Sequence, residues 1–132
     1  PPVIALAALE ASLDIWDTVN IKDVRETSIQ LTDQFIKGVE QKCPMLQLIT
    51  PRIPENRGSQ VSFSFKHGYA VMQACIERGV IGDFRAPDVM RFGFTPLFVD
   101  SQDVERASEI LAEIMSKDLW NDPKFQKRNK VT

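Results

Sequence analysis

Two arginines, Arg85 and Arg91, stand in the stretch GVIGDFRAPDVMRFGFTPLF (Gly79–Phe98), where packing alone does not account for them. Arg91 lies in the apolar run Val89, Met90, Arg91, Phe92, and alternation along a strand puts it on the face opposite Met90 and Phe92. A guanidinium carried by such a run must find an anion, because an unpaired charge taken out of water costs several kcal/mol. Its planar fork suits a carboxylate or phosphate held by two parallel hydrogen bonds. Two readings of Arg91 follow: bidentate recognition of a ligand carboxylate, or an internal ion pair with Asp83 or Asp88. Arg85, in the Phe-Arg-Ala-Pro turn, reads first as a residue that pins the turn with Asp83 as partner, and second as a contact to a ligand.

The other chemistry-bearing residues carry weaker signals. His67 is the only histidine and titrates in a useful range, but it has no carboxylate or nucleophile at a recognisable spacing and reads as a turn or capping residue. Lys66 beside it would need burial to lower its pKa for imine chemistry, and its polar junction predicts an exposed strand-end lysine instead. Ser59, Ser62 and Ser64 read as outward positions of a strand, with no nucleophile elbow around them. The glycines are scattered and form no phosphate-cradling loop. Cys43 and Cys75 are too few and too far apart for a zinc ribbon, a redox pair or a disulfide framework, and read as a loop thiol and a core residue.

The elements that must position these residues follow from periodicity. Pro1-Pro2 favours a helix start, and an opening without Met is expected of a chain cut from a longer one. Leu6, Leu9, Leu13 and Trp16 repeat at helical spacing to about Val19, with Glu10, Asp14 and Asp17 on other faces. Asn20 caps a second helix, with Asp23 in its first turn and a stripe of Val24, Leu31, Phe35 and Val39. Leu46–Ile49 reads as a short strand, and Gln60–Phe65 as the clearest strand in the chain. Gly68–Arg78 is helical with Gly79 as its stop. The apolar runs Val80-Ile81 and Val89–Phe92 predict two more strands. Asp100 or Ser101 caps a last helix with a stripe of Val104, Ala107, Leu111 and Ile114, and Asp122–Thr132 reads as a polar tail. Helix, helix, strand, strand, helix, strand, strand, helix predicts an α+β domain, a short-stranded antiparallel or mixed sheet with helices packed on it.

Composition sets the outer bounds. The chain has 132 residues, 43% of them hydrophobic and 26% charged, which is the balance of an ordinary globular domain. A net charge of −2 gives no basic footprint for nucleic acid or an anionic membrane. No apolar run approaches the roughly 20 residues of a membrane span, and no basic signal-peptide start precedes the first helix. Two cysteines in this setting fit a reduced, cytoplasmic protein.

The stretch around the arginines, together with NRGSQVSFSF (Asn56–Phe65) and HGYAVMQACIERG (His67–Gly79), resembles the carboxy-terminal domain of bacterial kynureninase, and PPVIALAALEASLDIW (Pro1–Trp16) is similar to the segment by which that family leaves its large domain. The resemblance runs in order from Pro1 to about Lys117. It implies the small domain of a fold-type I pyridoxal-phosphate enzyme, with residues 1–20 linking from a large domain, 21–117 forming the small domain and 118–132 a tail. It implies a parent that hydrolyses L-kynurenine to anthranilate and L-alanine as a cytoplasmic homodimer. Arg91 matches the arginine that holds the substrate's α-carboxylate; Arg85 has no equally clear role. The family's pyridoxal-phosphate lysine belongs to the large domain and no matching motif appears here, so the 132-residue chain is expected to bind no cofactor, to hold no catalytic residue and to be inactive alone. Two alternatives remain: a related fold-type I aminotransferase or cysteine desulfurase, and a non-catalytic α+β module that binds an amino acid through Arg91.

Overall fold

In the computed structural model residues 2–128 are described. Helix α1 (Val3–Trp16) forms as expected but ends three residues early, and none of its residues is buried. Its stripe of Leu6, Leu9, Leu13 and Trp16 and its second apolar side, with Val3, Ile4 and Ile15, all face solvent within this chain. A helix apolar on more than one side is normally covered by other structure.

The packed body begins at Asn20, whose side chain accepts from the Lys22 backbone N–H at 2.9 Å and so starts α2 (Ile21–Lys42). Asp23 sits in the first turn and Lys42 in the last, each complementing the helix dipole. Leu31, Phe35, Ile36 and Val39 form the buried stripe. Strand β1 (Gln47–Leu48) is shorter than the predicted Leu46–Ile49, and β2 (Gln60–Ser64) matches its expectation within a residue. Helix α3 (Gly68–Glu77) follows, then β3 (Asp83–Arg85), β4 (Val89–Gly93) and α4 (Ser101–Ser116). Asp100, rather than Ser101, caps α4: its carboxylate accepts from the Asp103 N–H at 2.9 Å, while Asp103 accepts from the Asp100 N–H at 3.0 Å. Such a reciprocal cap stabilises a helix by about 1 kcal/mol.

The four strands lie in the order β1-β2-β4-β3, and every neighbouring pair is antiparallel. Strands β2 and β3 therefore run parallel, joined by α3, with β4 inserted between them. One face of the sheet carries Val61, Phe63, Met90 and Phe92, all buried beneath the helices. Phe35 of α2 stands at the centre, its ring 5.1 Å from Phe92, 5.2 Å from Phe94 and 6.2 Å from Phe63. The other face carries Gln60, Ser62, Ser64, Arg91, Asp83 and Arg85; Ser62 is buried, Ser64 and Arg91 are half-buried, and Gln60, Asp83 and Arg85 are exposed. This is the predicted α+β architecture with the sheet fully antiparallel.

Two expectations are corrected. Val80-Ile81 is not a strand. Gly79, at φ +85°, donates to the Ile76 carbonyl at 3.0 Å and Val80 donates to that of Cys75 at 2.9 Å, so the run is used to close α3. Ladder pairing starts only at Asp83. The segment from residue 118 is also more than a polar tail. Leu119–Asn121 form a 3-10 turn and Pro123–Gln126 a short helix α5, which returns Phe125 to the core. Leu119, Trp120 and Phe125, spread among polar and charged residues, gave no period from which to read this. The remainder of the expected tail, residues 129–132, lies outside the described residues.

Candidate functional site

The polar face of the sheet owes its character to strand alternation. Met90 and Phe92 point into the core, so Arg91 between them must point the other way. Its register neighbours are Ser62 on β2 and Asp83 on β3. Along β2 this face offers Gln60, Ser62 and Ser64, none of them charged; Gln60 Nε2 donates to Ser62 Oγ at 3.3 Å, and the Ser62 N–H donates to Thr50 Oγ1 at 2.7 Å. Asp83 is thus the single acid that the strands place on this face.

Arg91 donates to Asp83 Oδ2 from Nε at 3.1 Å and also from Nη2. Arg85, two residues along the edge strand and on the same side, brings its Nε to 3.2 Å from the same oxygen. One carboxylate oxygen therefore receives two guanidinium groups. The Arg91 hydrogen bond, aided by the charges of both arginines and the Phe84 backbone N–H, holds the Asp83 carboxyl below the usual carboxylate range against a smaller opposing desolvation. Of the internal partners expected for Arg91, Asp83 is taken and Asp88 is not.

Gly82 makes this pairing possible. A Cβ there would stand 2.7 Å from the Arg91 carbonyl oxygen and 2.6 Å from Met72 Cε, so only glycine lets the chain run close enough to β4 to set Asp83 opposite Arg91. Three residues, Ala86 to Asp88, close the hairpin between β3 and β4.

The remaining candidates take structural places. His67 lies in the turn that leads into α3, as expected, but its side chain makes no cap hydrogen bond; its ring stacks on Trp120 at 4.6 Å and 17°. Lys66 is exposed at the end of β2, and every lysine among the described residues lies at the surface. Ser62 and Ser64 take outward strand positions, whereas Ser59 precedes the strand and shares a hydrogen bond with Ser28 at 2.5 Å. Cys43 and Cys75 are both buried free thiols. Among the described residues no group of three or more His, Cys, Asp or Glu could hold a metal ion, and no helix is long and apolar enough to cross a membrane. A concavity of about 290 Å³ lies beside α4 and the α3 cap, and neither Arg85 nor Arg91 lines it.

One arginine escaped the sequence reading. The Arg57 side chain is 1% exposed, pairs with Asp33, and donates to Thr32 Oγ1 at 3.2 Å and to the carbonyls of Arg52 and, at 3.3 Å, Pro51. Arg25 adds bonds to the carbonyls of Pro54 at 2.6 Å and Arg57 at 3.0 Å. Together they fasten residues 51–58 to α2 and thereby fix where β2, the neighbour of Arg91, begins. Sitting in a polar loop without periodicity, Arg57 gave no signal that it was buried.

An antiparallel sheet backed by helices on its apolar face is the architecture of the small domain of fold-type I pyridoxal-phosphate enzymes. The chain belongs to the kynureninase C-terminal domain family, which matches residues 24–111. It is 47% identical over 133 aligned positions to a kynureninase of Pseudomonas fluorescens, and 44% identical to kynureninases of Burkholderia mallei (strain SAVP1) and Burkholderia pseudomallei (strain K96243). Each comparison covers 99% of this chain but 32% of the relative, so the chain spans about a third of the length of the relatives it matches.

Proposed function

We propose that, within a chain as long as those relatives, this domain serves the hydrolysis of L-kynurenine to anthranilate and L-alanine in tryptophan breakdown, and that Arg91 binds the substrate's α-carboxylate. The observation that carries the activity is the match to kynureninases along essentially the whole chain at 44–47% identity. Arg91's own role draws support from its place on the polar face of the sheet, where a guanidinium on a strand has little freedom and can hold a carboxylate at a set angle. Pyridoxal phosphate supplies the electron sink of such chemistry when it is bound. The described residues do not by themselves fit that cofactor, since their lysines are all exposed; we assign it to the longer chain and no step to it here.

What this domain contributes is binding and orientation. Two parallel hydrogen bonds from one guanidinium fix both the position and the plane of a carboxylate, and with it the direction of the neighbouring Cα bonds. The same reading takes the assembled enzyme as a cytoplasmic homodimer, and the apolar, exposed α1 supports its use in contacts to the large domain or a second subunit.

The test is Arg91→Lys in the full-length protein. Lysine keeps the charge and loses the fork, and kcat/KM for L-kynurenine is expected to fall by about 2 kcal/mol, roughly thirtyfold. Kinetics within about threefold of wild type would remove Arg91 from the site. Absence of kynurenine hydrolysis in the wild-type protein, with transamination or desulfuration in its place, would move the parent to another fold-type I enzyme.

A further inference from the structure

The guanidinium of Arg91 is only half used. Its bonds to Asp83 come from Nε and Nη2, the side edge of the fork. Nη1, on the end edge with Nη2, makes no hydrogen bond or ion pair among the described residues. A guanidinium offers five N–H donors and can hold one carboxylate on each edge.

We propose that Asp83 is a positioning residue for substrate: it fixes the side edge of Arg91 so that the end edge is presented to a second carboxylate, and Arg85 holds Asp83 in place while preserving the site's positive charge. This rests on the assignment of Arg91 to the substrate's carboxylate. Three observations support it. The backbone itself sets Asp83 across from Arg91, in a register that the close approach of Gly82 permits. Arg85 grips the same Oδ2, so Asp83 is restrained from two directions. Two guanidiniums against one carboxylate leave one positive charge, which matches a single monoanionic carboxylate; with Arg91 and Asp83 alone the pair would be neutral.

The competing arrangement makes Asp83 a plug, occupying Arg91 until substrate displaces it onto Arg85. The two differ in sign. A positioning residue improves binding, so its loss weakens affinity; a plug competes with substrate, so its loss strengthens affinity.

The experiment compares Asp83→Asn, Asp83→Glu and Arg91→Lys in the full-length protein, with L-kynurenine and with its decarboxylated amine as substrate or competitive ligand. Asp83→Asn is expected to raise KM for L-kynurenine about tenfold with kcat changed less than about threefold, because a neutral amide holds the guanidinium more weakly. Asp83→Glu is expected to recover most of that loss, and binding of the amine, which lacks the carboxylate, to be unaltered by either change. A merely structural role would disturb both ligands alike, and that result overturns the proposal. An unchanged or lowered KM in Asp83→Asn, where Arg91→Lys is impaired, overturns it while leaving Arg91's own role standing. An Arg91→Lys variant within about threefold of wild type overturns both together.

Discussion

Asp83 and Arg91 stand directly opposite each other on adjacent antiparallel strands, and their side chains meet on the polar face of the sheet. That relationship joins fold to site. Strand alternation buries Met90 and Phe92 and thereby sends Arg91 outward, and the edge position of β3 exposes Asp83 and Arg85 beside it. Charged residues on so short an edge strand also discourage edge-to-edge pairing with another chain. The Asp83, Arg85 and Arg91 cluster is therefore a by-product of how the core is packed, with one carboxylate and two guanidinium groups placed by register.

Gly82→Ala tests that placement. The new methyl would meet backbone, the Arg91 carbonyl at 2.7 Å, as well as the flexible end of Met72. The methionine can move, but the carbonyl belongs to a hydrogen-bonded strand. We expect a loss of about 1–3 kcal/mol on urea denaturation of the chain, with displacement of β3 from β4. With Arg91 in its proposed role, the same change in the full-length protein is expected to weaken kynurenine binding, because Asp83 no longer reaches Arg91. Unaltered stability and unaltered kinetics would show that the close approach is not required.

Arg57→Ala probes the loop that leads into β2. The guanidinium is buried and serves two loop carbonyls, Thr32 and Asp33 at once, and its removal leaves the carbonyls without donors. Asp33 is 42% exposed and can be rehydrated, which limits the cost. The expected loss is about 2 kcal/mol, accompanied by faster proteolysis within residues 51–58. Arg57→Lys is expected to recover little, since one ammonium cannot reach the same set of acceptors. Proteolysis and stability like wild type would show that Arg25 alone holds the loop.

How much of this was legible in the sequence follows from how local each cause is. Asn20, Asp100 and Gly79 act within a turn of their own helix, and their caps were readable with the exception of the choice between Asp100 and Ser101. The alternation of Val61, Phe63 and Ser62 likewise marked β2 and its two faces. Arg91's outward direction followed from the same rule, and Asp83 was one of its two candidate partners. What decided between Asp83 and Asp88 was register across two strands, a non-local property that no spacing along the chain encodes. Val80-Ile81 misled because an apolar pair can end a helix as readily as begin a strand, and Phe125 and Arg57 were hidden in polar surroundings whose partners lie far away in sequence.

The two cysteines predict how stability responds to alkali. Both thiols are buried, and loss of hydration pushes Cys43 up to about 11 and Cys75 up to about 12, more than the neighbouring Lys42 and Arg78 bring them down. In the unfolded chain a thiol titrates near pH 8.5. Below that pH both states keep their protons and the thiols add no pH dependence. Above it the unfolded chain releases protons that the folded chain retains, so stability falls as pH rises, by up to about 1.4 kcal/mol per pH unit for each thiol until its folded-state value is reached. Urea midpoints are expected to be level between pH 7 and 8 and to decline from about pH 9 upward. Cys75→Ala is expected to lose part of that slope and the double change with Cys43→Ala more of it, whatever each does to the midpoint at neutral pH. In the native state at pH 8 both thiols should react with an aromatic disulfide reagent only as fast as the domain opens. Immediate labelling of two thiols in the folded protein, or an alkaline slope identical in the double variant, would contradict their burial as protonated core groups.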